Sequence, residues 1–133
     1  MARFVLISFG GALGTGARYL LSTRVAQAYG AGFPRGTLII NVSGSFVIAL
    51  VMQLALVTGA VPENTRLFLT TGMMGGYTTY STFNYETLSL ASRGAYGLAA
   101  LNLGLTVAGA LVAGFLGLVA AQGIALVGAK LAG

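Results

Sequence analysis

The chain has 133 residues, of which 56% are hydrophobic and 7% charged, and its formal net charge is +5. A soluble domain carries about 25% charged residues, so this composition excludes an ordinary water-facing surface and reads as a membrane protein. Cysteine and histidine are absent and the only acids are Glu63 and Glu86, which removes disulfides, the commonest metal ligands, a paired-carboxylate site and the commonest general base, and so predicts no enzyme.

A spanning helix needs about 20 mostly apolar residues, and four such stretches are found in one continuous transmembrane domain, 1–133, with short linkers. The first runs from Phe4 to about Leu21. It reads as a retained span rather than a signal peptide, because Arg3 alone precedes it and Arg18 sits inside its far end. It carries the close-packing step Gly10-Gly11-Ala12-Leu13-Gly14. The second runs from Thr37 to Val57, and Asn41 and Ser45 lie four residues apart on one of its faces. Pro34 and Pro62 fall between candidate spans, as helix boundaries do.

The third span, Arg66 to Ala91, is the unusual one. Its middle reads Gly72-Met-Met-Gly-Gly-Tyr-Thr-Thr-Tyr-Ser-Thr-Phe83, with Glu86 three residues on. Hydroxyls at this depth must find partners that lipid does not offer. Thr78, Thr82 and Glu86 are spaced by four and predict one polar stripe with Thr79 beside it; Tyr80 and Phe83 predict an adjacent aromatic stripe. Gly72, Gly75 and Gly76 predict a broken helix near its middle, which would free carbonyls able to hold a small cation such as Na⁺. The competing reading is a kink that lets helices approach closely. The fourth span starts near Ala95 and runs to Val119 or beyond, with Asn102 and Thr106 four apart and a small-residue face from Gly109 to Gly114.

Four spans put both termini on one side. That side then holds Arg3, Arg66 and Lys130, and the other holds Arg18, Arg24, Arg35 and Arg93. Three cations against four give almost no orientation bias, which suggests insertion both ways and an antiparallel homodimer. The cations are scattered singly, so no nucleic-acid patch is formed. Each polar residue also has an ordinary reading. Ser and Thr bond back to their own helix, an Asn joins two helices, an aromatic pair packs, and Glu86 sits solvated near a helix end. Taken together, the stripes read as a polar track without fixed charge at its centre, and these residues alone leave the sign of the ion open.

The run Gly75-Gly-Tyr-Thr-Thr-Tyr-Ser-Thr-Phe83 with Glu86 resembles the hallmark of the Fluc/CrcB fluoride channels. Gly10-Gly-Ala-Leu-Gly-Thr-Gly-Ala-Arg18-Tyr19 and Gly36-Thr-Leu-Ile-Ile-Asn41-Val-Ser-Gly44 resemble that family's first- and second-helix motifs, in the same order. The resemblance implies an all-α, dual-topology, antiparallel homodimer in the lipid of a bacterial inner membrane. It implies two fluoride pores at the dimer interface, passive export of cytoplasmic fluoride, and a central structural Na⁺ held by the backbone carbonyls of Gly75 and Thr78. By motif position it assigns Asn41, Tyr80, Ser81, Thr82, Phe83 and Glu86 to the pore and Arg18 to the vestibule, with Asn102 and Thr106 as fourth-helix pore residues. Tyr80 departs from the family pattern, which has phenylalanine there. Two other readings remain: a small multidrug transporter, which would need an embedded carboxylate that the first two spans lack, and a structural membrane subunit that passes no ion.

Overall fold

The computed structural model describes residues 1–132, all in helices or the short connections between them. Helix α1 covers Ala2–Tyr29 and α2 covers Arg35–Thr58. A third helical stretch, α3, covers 63–77: an α-helical turn Glu63–Leu67, a wide π-helical segment Phe68–Met74, and a last α-helical turn Gly75–Tyr77. Two extended residues follow, and then α4, Tyr80–Ser92. The last helix, α5, covers Tyr96–Ala132. Three helices, α1, α2 and α5, are long and apolar enough to cross a membrane.

The third span is two half-helices, in keeping with the expected break, and the first span is longer than hydropathy suggests. Helix α1 runs on past Leu21 because Ser22, Thr23, Arg24 and Gln27 lower hydropathy without breaking helical geometry. It ends at Gly30, whose φ of 74° lies where side chains are strained. Helix α2 ends similarly at Gly59 in the left-handed conformation, its N–H donating to the Ala55 carbonyl at 3.2 Å. Pro34 and Pro62 stand just before α2 and α3, where their missing N–H costs nothing. At 37 residues, α5 is about 55 Å long, well over the ~30 Å hydrocarbon core.

Two contacts organise the bundle. Helix α5 lies along α2, with the tightest approach at Gly117, where an added Cβ would stand 2.5 Å from the Phe46 carbonyl. Gly109 and Gly114 are looser, so the small-residue face is centred one turn later than the sequence suggests. Helix α3 lies against α1. Here an added Cβ on Gly10 would meet the Phe68 carbonyl at 2.8 Å, and one on Gly72 would meet the Ile7 carbonyl at 2.9 Å. Added carbons on Gly14 and Gly76 would collide with the Met73 and Gly11 carbonyls. The glycines of the third stretch thus allow backbone contact, and the chain breaks two residues beyond them, at Thr78 and Thr79.

Candidate functional site

The break is built from one amide side chain. Thr78 has φ −77° and ψ 157°, and Thr79 has φ −153° and ψ 110°, both extended. Extended residues lose the helical i to i−4 partners, and buried backbone groups left alone cost free energy. Asn41 on α2 supplies both replacements: its Oδ1 accepts from Thr79 N–H at 2.9 Å and its Nδ2 donates to the Thr79 carbonyl at 3.1 Å. Thr79 then caps α4, its Oγ1 accepting from the Thr82 amide at 3.3 Å and donating to the Thr82 hydroxyl at 2.9 Å. Ser81 Oγ stands 3.4 Å from Thr79 Oγ1. Gly44 gives the room this requires, because any Cβ there would run into the Thr78 methyl.

These bonds have a consequence at the two half-helix ends. The Thr79 amide, which would ordinarily donate to the Gly75 carbonyl, goes to Asn41. The Thr82 amide, which would ordinarily donate to the Thr78 carbonyl, goes to the Thr79 hydroxyl. The oxygens of Gly75 and Thr78 are thereby released from helical pairing. On the far side of the break, α4 starts with the exposed N–H groups and the partial positive charge of a helix N-terminus.

Three recesses surround this arrangement. One, of about 280 Å³, is lined by Asn41, Gly44, Ser45, Thr78, Tyr80, Phe83 and Thr106 among others. The Tyr80 and Phe83 rings, 5.8 Å apart and tilted at 59°, stand together in it, although Phe83 is 5% exposed and Tyr80 78%. A second, of about 680 Å³, runs along α1 from Thr15 and Arg18 to Gln27 and reaches Thr37, Thr79 and Thr82. A third, of about 170 Å³, lies at the α1–α2 turn and holds Thr37, Glu86, Arg35 and Arg93. Thr37 belongs to both of the last two and donates to Glu86 Oε1 at 3.0 Å; Glu86 Oε2 is buried with no partner.

The expected residues are therefore distributed as follows. Asn41, Tyr80, Phe83 and Thr106 share one recess, and Arg18 and Thr82 share another. The stripe Thr78–Thr82–Glu86 is formed only in its Thr82–Glu86 part. The two extended residues take Thr78 out of phase and into the 280 Å³ recess, while Thr82 and Glu86, four apart on the unbroken α4, keep a common face and line the two adjoining recesses that share Thr37. Asn102 departs from its fellow Thr106. It is fully buried and absent from the 280 Å³ recess, and its Nδ2 donates to Thr87 Oγ1 at 2.8 Å. Thr87 in turn donates to the Phe83 carbonyl at 2.8 Å, so Asn102 braces α4 from behind. Thr37 and Thr87 were not singled out from the sequence. Thr37 was legible as the first member of a Thr37–Asn41–Ser45 series spaced by four; Thr87 carried no such signal.

Comparison with known proteins gives one family. The model of the CrcB-like protein, Camphor Resistance (CrcB) family matches residues 5–118. A fluoride-specific ion channel FluC of Anaeromyxobacter sp. (strain K) is 56% identical over 115 residues, covering 86% of this chain and 91% of the relative. The FluC of Sorangium cellulosum (strain So ce56) is 45% identical over 122 residues, covering 92% and 96%. That of Geobacter sp. (strain M21) is 40% identical over 124 residues, covering 93% and 100%. These relatives are named as channels and not as enzymes. With a family match over most of its length and near-full coverage of such relatives, the chain belongs to the CrcB family.

Proposed function

We propose that this chain is a passive, fluoride-selective channel of a bacterial inner membrane, working as an antiparallel homodimer with two pores along the interface between copies. The observation that carries the reading is the Asn41–Thr79 clamp. It holds a helix open beside a recess lined by hydroxyl, amide and aromatic groups with no cation at its centre. Fluoride is small and strongly hydrated, so the barrier to crossing is dehydration. Successive weak donors offset that barrier in steps, whereas a guanidinium at the centre would trap the ion. The second Nδ2 hydrogen of Asn41, the hydroxyls of Ser81 and Thr82, the ring edges of Tyr80 and Phe83, and the N-terminus of α4 are the donors available, with the Thr106 hydroxyl joining them if it turns from Asn102 Oδ1, 3.5 Å away. Names carried by relatives up to 56% identical support fluoride as the ion. Glu86 and Arg18 stand toward one end of the path, beside Thr37.

The same break suits a structural sodium. A hard cation takes oxygen ligands, and the Gly75 and Thr78 carbonyls are freed from helical pairing by Asn41 and Thr79. Two copies related by a twofold axis would bring four such oxygens together. When bound, the ion would neutralise these carbonyl dipoles and pin the two copies. A protomer this small, with Tyr80 and much of α1 and α5 open on its outside, gains cover for polar atoms by pairing.

The test is fluoride efflux from proteoliposomes against chloride, with no proton gradient, in sodium and in a sodium-free buffer. Fluoride efflux far above chloride, lost on prolonged sodium removal, is the expected result. Reconstituted protein that passes neither ion overturns the channel reading, and sodium-independent flux overturns the sodium site alone.

A further inference from the structure

We infer that Arg35 and Arg93 form an anion-collecting mouth at one end of the pathway, a role that rests on the channel reading above. Both line the 170 Å³ recess, and each is anchored through a single donor. Arg35 Nη1 donates to the Tyr29 carbonyl at 3.3 Å, and the guanidinium lies 5.9 Å from the ring centres of both Tyr29 and Phe33. Arg93 Nε donates to the Ser89 carbonyl at 3.0 Å. A guanidinium has five donors, so each keeps several unused. Neither has a carboxylate within ion-pair reach, because the only ion pair among the described residues, Arg3 with Glu63, involves other groups. Two held cations against the single carboxyl group of Glu86 on the wall of one recess leave an excess of positive charge to be balanced by a mobile anion.

The recess adjoins the 680 Å³ recess across a common wall. It shares Ser22, Ala26 and Thr37 with the 680 Å³ recess that reaches Thr79 and Thr82. At its base, Glu86 accepts from Thr37. A carboxyl group on the same wall as two guanidiniums keeps an arriving anion from settling there, so the mouth raises local concentration without storing the ion. The field of such a mouth acts on encounter rate and is screened by salt.

The experiment measures fluoride efflux at sub-saturating fluoride, in inert sodium glutamate at about 10 mM and about 300 mM ionic strength, where the screening length falls from ~30 Å to well under 10 Å. The paired change R35Q/R93Q is expected to lower efflux about tenfold at low ionic strength, within the range of electrostatic steering, and less than about twofold at high ionic strength. Saturating flux is expected to stay the same. R35K, which keeps the charge but gives up the anchoring fork, is expected to track the parent and so separates charge from local folding. R24Q, which removes a cation lying outside both recesses, is expected to lower low-salt efflux far less than R35Q/R93Q. Parent efflux with equal salt dependence in R35Q/R93Q overturns the mouth while leaving the channel standing. A parent that conducts no fluoride overturns the channel reading first. Loss of flux at both ionic strengths in R35Q/R93Q, with R35K also inactive, assigns the pair to folding and overturns the collecting role.

Discussion

The two seams that hold the broken helix are built in opposite ways. Where α3 meets α1, the contact is made by missing side chains: Gly10, Gly14, Gly72 and Gly76 bring backbone against backbone with no space for a single added carbon. Where α4 meets α2, it is made by side chains that carry hydrogen bonds, Asn41 to Thr79 and Thr37 to Glu86, with recesses on either side. The first seam excludes water and ions and sets position by hard contact. The second leaves room and supplies polar atoms. An ion path needs both, since a narrow, donor-lined track keeps its width only if its other wall cannot yield.

The sharpest way to break this comparison is at the glycine seam. Gly14→Val would place carbon where the Met73 carbonyl lies, and the neighbours are backbone that cannot rotate away. Overpacking costs about 1–3 kcal/mol and occasionally more, and this site belongs at the upper end. Detergent-extracted protein is expected to lose its monodisperse peak or most of its thermal midpoint. Gly16→Ala is the contrast, since nothing stands within 4 Å of its added carbon. It is expected to be neutral or to stabilise, as Gly-to-Ala does in a helix by up to ~1 kcal/mol.

At the polar seam the next largest effect is Asn41→Leu. It orphans both the N–H and the C=O of buried Thr79, and an unsatisfied buried group costs about 1–3 kcal/mol. A loss of about 2 kcal/mol in stability is expected, together with most of the fluoride flux. Asn41→Asp keeps the acceptor and should fall between. Full flux in Asn41→Leu would refute the clamp as the centre of the path. Thr87→Val follows at about 1 kcal/mol, because Asn102 keeps a second N–H while one is left unpaired. Thr87→Ser should restore it.

Tyr80→Phe separates function from fold. The Tyr80 hydroxyl makes no hydrogen bond within the protomer and the ring is mostly exposed, so stability should change by under about 0.5 kcal/mol. A phenolic donor that holds the ion contributes about 1 kcal/mol, and its removal is expected to raise flux about fivefold. Identical flux in liposomes would show that this hydroxyl faces away from the path.

What could be read from the chain beforehand follows the reach of each signal. Apolar length located α1, α2 and α5 because burial in lipid is a property of a segment on its own. The glycine run pointed to a break, but the break lies at Thr78–Thr79, because it is set by Asn41, 38 positions away in sequence. The spacing of Thr78, Thr82 and Glu86 implied one stripe only while the helix was continuous. A lone Thr says little until its neighbour is known, which is why Thr87 went unmarked, and no spacing rule shows that Asn102 would turn its amide to Thr87. Arg35 and Arg93 are far apart in sequence and come to line one recess only when the α1–α2 turn and the end of α4 are brought together.

The smallest expected effect bounds the comparison from outside both seams. Arg3 Nη2 meets Glu63 Oε2 at 2.6 Å and ties the start of α1 to the start of α3, yet the two side chains are 61% and 53% exposed. Exposed ion pairs contribute about 0–1 kcal/mol and fade with salt. Arg3→Gln is therefore expected to lower the thermal midpoint slightly at low ionic strength and not at all at high, with fluoride flux unchanged in both. If the glycine seam is rigid, loosening this tie at the end of α3 has no route to the break more than ten residues along. A change in flux would mean that α3 slides on α1, and that the wall taken here as unyielding moves when the channel conducts.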